Sequence, residues 1–392
     1  MSKKNLPKPT GEYAVGTFTY TIKDHRREVL NDLPKIGKIP EMRSVACRVY
    51  YPVLKSSVKG LEKGIALSRN MVEGLKKEFK IPINYDKETA AGKNVTECYK
   101  DAPKIEGEKF PLILFNHGYI SYREGNSFLC IDIASHGYVV ISVAHSLEGL
   151  CTEFDDGSYL FFERSLKKKM TDPYIRGIIA TLRLPKLKGT TEEIAEKFDE
   201  YQNKYCRYMT NRLPEWVKDN EAALEYAKEN LGDMIDFEKG VGVAGHSMGG
   251  NTAYRLCIDK PEFVCGVNLD GAPFGDYKDD VQTKPFLQVC CEENENVHSR
   301  IYMKHTSPVY KAVFRDMKHM GFSDSKHQIP FGTGKLDSDV MHENLCKCHL
   351  EFFDAYLKKI KDKPDFRDND AVKYTELSPD TPTFPMTLDP WV

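Results

Sequence analysis

The sequence predicts an α/β fold with a mostly parallel central sheet flanked by helices. From Phe110 onward, short apolar runs alternate with longer stretches of helical pattern, as they do in successive βαβ units. The runs are almost continuously apolar, which is typical of strands buried on both faces of a sheet. With 41% hydrophobic residues in a chain of 392, there is enough apolar surface for a sizeable core. We therefore expect a single α/β domain over residues 1–392.

Six apolar runs are the expected strands. In chain order they are Phe110–Phe115, Tyr138–Ala144, Gly240–Gly245, Cys265–Leu269, Pro285–Cys291 and Val313–Met317. Helices are predicted between them, most clearly over Ser127–Ser135 and Asn251–Ile258. In an open parallel sheet, ligands bind outside the carboxyl ends of the strands. The residues that follow each run are therefore the first candidates for a functional site.

Two long stretches interrupt this alternation. Residues 53–109 are rich in lysine and contain an amphipathic segment between Leu61 and Phe79. For this segment two interpretations are open, a core-facing helix and a face for transient contact with a lipid surface or a partner. Residues 151–239 are largely charged, with helical patterns over Glu192–Tyr208 and Glu221–Asn230. Because this stretch lies between two predicted strands, we expect a helical, cap-like insertion near the site.

Charge and composition exclude several classes of protein. The 56 basic and 58 acidic residues nearly cancel, whereas nucleic-acid binders carry a strong positive excess. The apolar runs are far shorter than the ~18 residues that a membrane-spanning helix needs. The eleven cysteines are an odd number without regular spacing, and the first lysines are followed by polar residues and prolines. These features predict a cytoplasmic protein with reduced thiols; a secreted form without its signal peptide would have the same features.

The main chemical signal lies between the predicted strand Gly240–Gly245 and the helix that follows it. Residues 245–249 read Gly-His-Ser-Met-Gly, the pattern G-x-S-x-G. A serine in such a strand-to-helix turn is exposed above a helix N-terminus, which favours developing negative charge. Close packing on either side of the serine requires the two glycines. Ser247 is therefore the candidate nucleophile, in an elbow formed with Gly245, His246 and Gly249.

The same segment also matches the fingerprint of dinucleotide-binding proteins. Gly240, Gly242 and Gly245 have the spacing G-x-G-x-x-G. In that fingerprint the glycines lie in the turn after the strand, whereas here they alternate with the strand's own valines. We therefore expect no nucleotide cofactor.

A serine nucleophile needs a base to remove its proton and a third group to orient that base. The histidines that follow Ser247 in the chain are His298, His305, His319, His327, His342 and His349. His319 comes almost directly after the predicted strand Val313–Met317, at the edge where this fold gathers its site. It is the preferred base, and His349 is expected to serve packing or to lie at the surface. The nearby sequence Cys346-Lys-Cys348-His349 has no second pair of ligands at the usual spacing, so no metal site is expected.

The acid that orients the base has two candidate positions. Asp270 ends the predicted strand Cys265–Leu269, and Glu292 or Glu293 ends the next strand. All three lie between the serine and His319, in the chain order that α/β hydrolases use. From the residues alone the preference for Asp270 is slight.

Two backbone amides are the candidate donors to an oxyanion. One is the amide of Met248, the residue after the nucleophile. The second should come from a loop that follows an early strand, and the Asn-His-Gly-Tyr segment after Phe110–Phe115 fits this requirement. The amide of Tyr119 is therefore the second candidate.

Four segments of the chain together resemble a known family. They read PLILFNHGYISYREGNSFLCIDIASHGYVV, GHSMGG, CGVNLDGAPFG and KHMGFSD. They are similar to the platelet-activating-factor acetylhydrolase family, the plasma and type II phospholipase A2-like lipases. The resemblance extends from TGEYAVG near the N-terminus to about Asp324. It implies an α/β-hydrolase fold without metal or other cofactor, and hydrolysis of short or oxidised sn-2 acyl chains from phospholipids.

The resemblance also assigns site residues by position. It implies that Ser247 is the nucleophile, Asp270 the acid and His319 the base of a catalytic triad. It places the oxyanion donors on Met248 and Tyr119. This implication moves the assignment of the acid from a slight to a firm preference for Asp270.

The chain departs from the family in two segments expected to border the pocket. Ala144-His145-Ser146-Leu147 stands where the family usually has Glu-His-Arg-Asp, and Gly271-Ala272-Pro273 stands where an aromatic residue usually follows the acid. The expected substrate is accordingly a small-molecule or phospholipid ester of open acyl length and headgroup. A short-chain carboxylesterase, a polyester-type hydrolase and an acyltransferase remain alternatives. A non-catalytic binding protein on this fold is disfavoured, because all three triad residues are present.

Overall fold

The structure, a computed structural model, describes residues 6–28, 42–163, 183–328 and 332–377. The chain divides into two compact units. The first comprises Met1–Glu163 and Lys218–Glu238, and the second comprises Arg164–Val217 and Lys239–Val392. The description of residues 1–392 as a single domain stays a prediction.

The first unit contains strands of mixed direction. They are β1 (Ala14–Glu28), β2 (Met42–Val53), β3 (Lys63–Ile65), β4 (Val95–Lys100), β5 (Leu112–Asn116) and β6 (Val139–Val143). Their order is β5-β6-β2-β1-β4-β3. Strands β5 and β6 are parallel, whereas β2 runs antiparallel to both β6 and β1. A separate antiparallel hairpin is formed by β7 (Cys151–Glu153) and β8 (Tyr159–Phe161).

The helices of the first unit explain part of the amphipathic segment. They are α1 (Arg69–Phe79), α2 (Tyr85–Ala90) and α3 (Ser127–Ser135), with a 3₁₀ turn at Lys55–Val58. Helix α1 begins after Ser68, whose hydroxyl accepts a hydrogen bond from the amide of Met71. It buries Met71, Val72 and Leu75, so this face of the segment points into the core, while Phe79 stays exposed. Helix α3 has the predicted bounds, and all its residues are buried.

The second unit contains the strand that leads into the elbow and four strands that follow it. They are β9 (Val241–His246), β10 (Phe263–Leu269), β11 (Phe286–Cys291), β12 (Val309–Phe314) and β13 (Val372–Leu377), adjacent in that order. The first four are parallel and β13 is antiparallel to β12. Strands β9 and β11 are buried at every position, as expected for strands covered on both faces.

The remaining helices are α4 (Thr191–Tyr205), α5 (Arg207–Asn230), α6 (Met248–Asp259), α7 (Ser325–Gln328) and α8 (Ser338–Phe353). Short 3₁₀ segments cover Leu184–Lys186, Phe237–Lys239, Glu292–Tyr302 and His319–Phe322, and a π-helical turn covers Asp354–Lys358. Helix α4 begins with a capping box between Thr190 and Glu193. Helices α4 and α5 precede β9 in the chain, which confirms the predicted helical insertion before the elbow strand. Residues 164–182 of that stretch lie outside the described residues.

One predicted strand is displaced. The prediction placed it at Val313–Met317, whereas β12 covers Val309–Phe314. Lys311 interrupts the apolar run, so the predicted strand begins four residues after the observed one. In the structure the ammonium group of Lys311 pairs with the carboxylate of Glu295. Four residues therefore separate the end of the strand from His319, rather than one.

The structure gives two further observations on composition. Within the described part of the chain, no helix is both long and apolar enough to span a lipid bilayer. All eleven cysteines are described, and all are buried free thiols.

Candidate active site

Ser247 lies in a strained turn between β9 and α6. Its backbone has φ +57° and ψ −122°, a conformation that residues other than glycine rarely adopt. Two backbone hydrogen bonds hold the turn: the amide of Ser247 donates to the carbonyl of Leu269 at 2.8 Å, and the amide of Asn251 donates to the carbonyl of Ser247 at 3.1 Å. The strain places the hydroxyl at the end of the strand, as the motif predicts.

Two glycines outside the motif make this close packing possible. A Cβ atom at Gly250 would clash with the side chain of Asn268, and one at Gly271 would clash with the carbonyl oxygen of Ser247. Asn268 is fully buried and fixes the backbone of Gly271 through two hydrogen bonds, both 2.8 Å long. Its side-chain nitrogen donates to the Gly271 carbonyl, and its side-chain oxygen accepts from the Gly271 N–H. The sequence analysis did not identify Asn268 as a site residue, although it is a polar residue within the otherwise apolar strand β10.

His319 connects Ser247 to Asp270. Its Nε2 lies 2.9 Å from the hydroxyl of Ser247, and its Nδ1 lies 2.7 Å from Oδ2 of Asp270. A carboxylate accepts hydrogen bonds only, so the proton is on Nδ1, and Nε2 is the acceptor for the serine proton. The side chain of His319 is 38% exposed, whereas the side chain of Asp270 is completely buried. A substrate can thus reach the serine and the imidazole, while the carboxylate is shielded from water.

Asp270 is held as a carboxylate by several donors. Besides His319, it accepts hydrogen bonds from the amide of Cys291 at 3.1 Å and from the side chain of Asn294 at 2.7 Å. Burial by itself raises the pKa of Asp270, but the hydrogen bond and the charge of His319, with smaller contributions from His298 and Asn294, bring the pKa below its usual value. The acid therefore stays ionised at neutral pH.

The two alternative acids are engaged elsewhere. Glu292 accepts a hydrogen bond from the amide of Asp316 at 3.1 Å, and Glu293 lies 3.5 Å from the ammonium group of Lys318. Among the described contacts neither carboxylate meets His319. The structure thus brings together Ser247, His319 and Asp270, and leaves Glu292 and Glu293 outside this arrangement.

The other candidate histidines are also separate from Ser247 in the described contacts. His305 donates to the carbonyl of Ser307 at 2.9 Å, and His349 donates to the carbonyl of Leu345 at 2.7 Å. The rings of His327 and His342 meet edge to face, 5.7 Å apart. His298 is fully buried, and burial lowers its pKa.

His246 makes a contact that the motif did not predict. Its Nε2 donates a hydrogen bond to the backbone carbonyl of His319 at 2.9 Å, and the two rings lie 4.8 Å apart. The residue is buried, and burial together with the charge of His319 lowers the pKa of His246 to about 3. The neutral ring of His246 thus holds the backbone of His319 through this hydrogen bond.

The two predicted oxyanion donors lie in different units. Met248 is the first residue of α6, where backbone N–H groups have no partner within the helix. Tyr119 belongs to the loop after β5 in the first unit. The roles of both amides stay predictions.

Helix α4 packs on the loop that follows Asp270. The side-chain amide of Gln202 donates to the carbonyl of Gly275 at 2.8 Å and accepts from the Gly275 amide at 2.7 Å. The rings of Phe198 and Phe274 lie 5.7 Å apart in the same contact. The insertion therefore fixes the conformation of a loop that begins at the buried carboxylate.

The chain is similar in sequence to proteins of one known family. A profile of the family described as "Platelet-activating factor acetylhydrolase, isoform II" matches residues 1–329. The platelet-activating factor acetylhydrolases of Canis lupus familiaris and Bos taurus are 28% and 31% identical to the chain over 299 residues. Each alignment covers 69% of this chain and 62% of the relative, so the chain spans about three-fifths of the length of these curated relatives.

A solved structure shows the same fold. A ferulic acid esterase from Streptomyces cinnamoneus superposes with a TM-score of 0.72 at 18% sequence identity, covering 96% of this chain and 100% of that one. The predicted α/β-hydrolase fold with its mostly parallel sheet and flanking helices is confirmed. With the family profile matched over residues 1–329, the chain belongs to the platelet-activating factor acetylhydrolase, isoform II, family.

Proposed function

We propose that the chain is a serine ester hydrolase with Ser247 as nucleophile, His319 as general base and Asp270 as the acid that orients the base. One observation carries the proposal: an unbroken series of hydrogen bonds, 2.9 Å from Ser247 to His319 and 2.7 Å from His319 to Asp270. The distances are those at which a serine hydroxyl can pass its proton to an imidazole.

The proposed reaction begins with attack of the Ser247 oxygen on the ester carbonyl. The serine proton moves to Nε2 of His319, and the imidazolium is stabilised by the buried carboxylate of Asp270. The carbonyl oxygen becomes an oxyanion, for which we propose the amides of Met248 and Tyr119 as donors. The ester C–O bond then breaks, His319 gives its proton to the leaving alcohol, and the acyl group stays on Ser247. Water attacks this acyl-enzyme while His319 takes its proton, and the proton passes to the Ser247 oxygen as the carboxylic acid leaves.

We propose short or oxidised sn-2 acyl esters of phospholipids as the substrates. Family membership supports this choice, and so does the apolar character of partly exposed residues that follow His319 and Asp270 in the chain. Met320, which follows His319, is 42% exposed, and Ala272 and Phe274, in the loop after Asp270, are partly exposed. Apolar surfaces of this kind suit an acyl chain.

A short-chain carboxylesterase acting on soluble esters is the second candidate. The observation in its favour concerns Gly271, the residue directly after the acid. A larger side chain at this position would clash with the carbonyl oxygen of Ser247. Without the aromatic residue that the family usually has after the acid, the wall of the pocket differs from that of the family. Soluble esters are therefore included in the test of function.

The test is a hydrolysis panel on the purified full chain. It compares a 2-acetyl phosphatidylcholine with the same lipid carrying a long sn-2 chain, and with p-nitrophenyl esters of graded length, using Ser247→Ala as the control. We expect kcat/KM for the acetyl lipid to exceed that for the long-chain lipid by at least about tenfold. Cleavage of the p-nitrophenyl esters alone would favour the carboxylesterase, and cleavage of none of the substrates would contradict ester hydrolysis.

A further inference from the structure

His117 makes two hydrogen bonds that fix the loop containing Tyr119. The residue lies in the first unit, directly after β5, and is almost completely buried. Its Nδ1 lies 2.7 Å from the carbonyl oxygen of Gly118, and its Nε2 accepts the backbone N–H of His145 at 3.1 Å. A carbonyl can only accept and a backbone N–H can only donate, so His117 carries its proton on Nδ1 and none on Nε2.

Protonation of His117 would break this arrangement, because Nε2 would lose its ability to accept. Burial and the neighbouring His145 lower the pKa of His117 to about 3, so the ring stays neutral across the physiological range. The ring is thus a fixed donor to one specific carbonyl group.

The carbonyl of Gly118 and the N–H of Tyr119 belong to the same peptide unit. In a planar trans peptide these two groups point in opposite directions. When the ring of His117 holds the carbonyl, it therefore also sets the direction of the Tyr119 N–H, which points away from the ring. Without that hydrogen bond the peptide can rotate, since Gly118 has no Cβ to restrict its dihedral angles.

We propose that His117 is a positioning residue that orients the Gly118–Tyr119 peptide for its use as an oxyanion donor. The inference rests on the proposed function, in which the Tyr119 amide binds the oxyanion. His117 does not touch the substrate in this account and acts only through the peptide that follows it.

A buried ionic group fixes the other side of His117. The ring of His145 contacts the carboxylate of Asp219 at 2.8 Å and the side-chain oxygen of Asn116 at 3.1 Å. Asp219 in turn accepts two hydrogen bonds from the guanidinium of Arg43, at 2.7 and 2.5 Å. The anchored backbone of His145 supplies the N–H that selects the tautomer of His117.

The experiment compares three variants of the full chain by steady-state kinetics on a short-chain p-nitrophenyl ester. His117→Leu removes the donor, and His117→Asn restores one, because the amide nitrogen of asparagine can occupy the place of Nδ1. His349→Leu is the matched control, since His349 is also fully buried and donates from Nδ1 to a backbone carbonyl at 2.7 Å. Melting temperatures identify any variant that is unfolded under the assay conditions.

We expect His117→Leu to lower kcat by about 100-fold, the lower range for loss of one oxyanion donor, with KM changed less than about threefold. His117→Asn should recover at least about tenfold of this loss, and His349→Leu should keep kcat within about threefold of wild type. A folded His117→Leu with wild-type kcat would overturn the inference, as would equal losses in His117→Leu and His349→Leu.

Crystal structures of wild type and the two His117 variants provide a readout independent of turnover. The expected result is a rotated Gly118–Tyr119 peptide in His117→Leu and the original orientation in His117→Asn. An unchanged peptide in His117→Leu would overturn the inference even in an active enzyme. If wild type hydrolyses no ester, the proposed function fails, while these structures still decide whether His117 orients the peptide.

Discussion

Replacement of Asp270 by asparagine tests how the triad is oriented. Oδ2 of the carboxylate accepts hydrogen bonds from His319 and Asn294, and Oδ1 accepts from the amide of Cys291. The new amide has one acceptor and one donor group, so it cannot reproduce all three contacts. The Cys291 donor belongs to the backbone and cannot turn, whereas the side-chain amide of Asn294 can rotate by 180°.

The favoured arrangement follows from these contacts. The new oxygen faces Cys291, and the new NH₂ group faces Asn294 and His319. His319 must then move its proton from Nδ1 to Nε2, which is the wrong tautomer for accepting the proton of Ser247. In a serine protease the same change lowers kcat about 10⁴-fold, equivalent to about 5.4 kcal/mol in activation free energy. We expect a loss of this order with little change in KM.

The assay is steady-state hydrolysis of a short-chain ester, with Glu292→Gln as the matched control. Glu292 is a carboxylate at the end of the next strand, and it contacts the Asp316 amide rather than His319. Its variant should retain kcat within about threefold of wild type. A loss of less than about tenfold in Asp270→Asn, or a similar loss in Glu292→Gln, would refute this account of the acid.

Three further predictions concern the surroundings of the site. His246→Leu removes a donor to the His319 carbonyl and should lower kcat about tenfold, while His246→Gln keeps a donor and most of the activity; equal losses in kinetic assays would contradict this role. Burial lowers the pKa of His117 and His246 to about 3 and that of His349 to about 4. Unfolding frees them to take up protons below about pH 6.5, so the free energy of unfolding should fall between about pH 6 and 4 by about 1.4 kcal/mol per pH unit for each histidine. In urea titrations at several pH values, His349→Gln should make the free energy of unfolding depend less steeply on pH. An unchanged pH dependence would contradict the assignment of this effect to buried histidines. Turnover should survive excess EDTA and show no response to added calcium, because the serine is activated by proton transfer; a loss restored by calcium or zinc would contradict the mechanism.

The sequence predicted the elements around the elbow because their physical signals are local. Continuous apolar runs identified β9, β10 and β11, and the serine between a strand and a helix marked the turn. Strands β1 and β2 were not predicted. In β1 the signal was an alternation of β-branched and aromatic residues, as in Thr17–Thr21, and in β2 the apolar residues are interrupted by Arg48, so neither strand has a long continuous apolar run.

The contacts between side chains of the site could be predicted from the sequence only in part. The sequence alone left Asp270 only slightly ahead of Glu292 and Glu293, because all three follow parallel strands. The hydrogen bond that separates them joins residues 49 positions apart in the chain. The contact of His246 with the His319 carbonyl and the bonds of His117 depend in the same way on tertiary packing, which residue spacing does not reveal.

Covalent labelling of Ser247 tests the central claim most directly. Full-length wild type and Ser247→Ala are treated with an organophosphonate ester probe, digested, and analysed by mass spectrometry, with circular dichroism to confirm that the variant is folded. We predict one adduct per wild-type chain, on Ser247, and no adduct and no ester hydrolysis in the folded variant. Labelling at another residue, or hydrolysis that persists in Ser247→Ala, would contradict the proposal that this serine is the nucleophile.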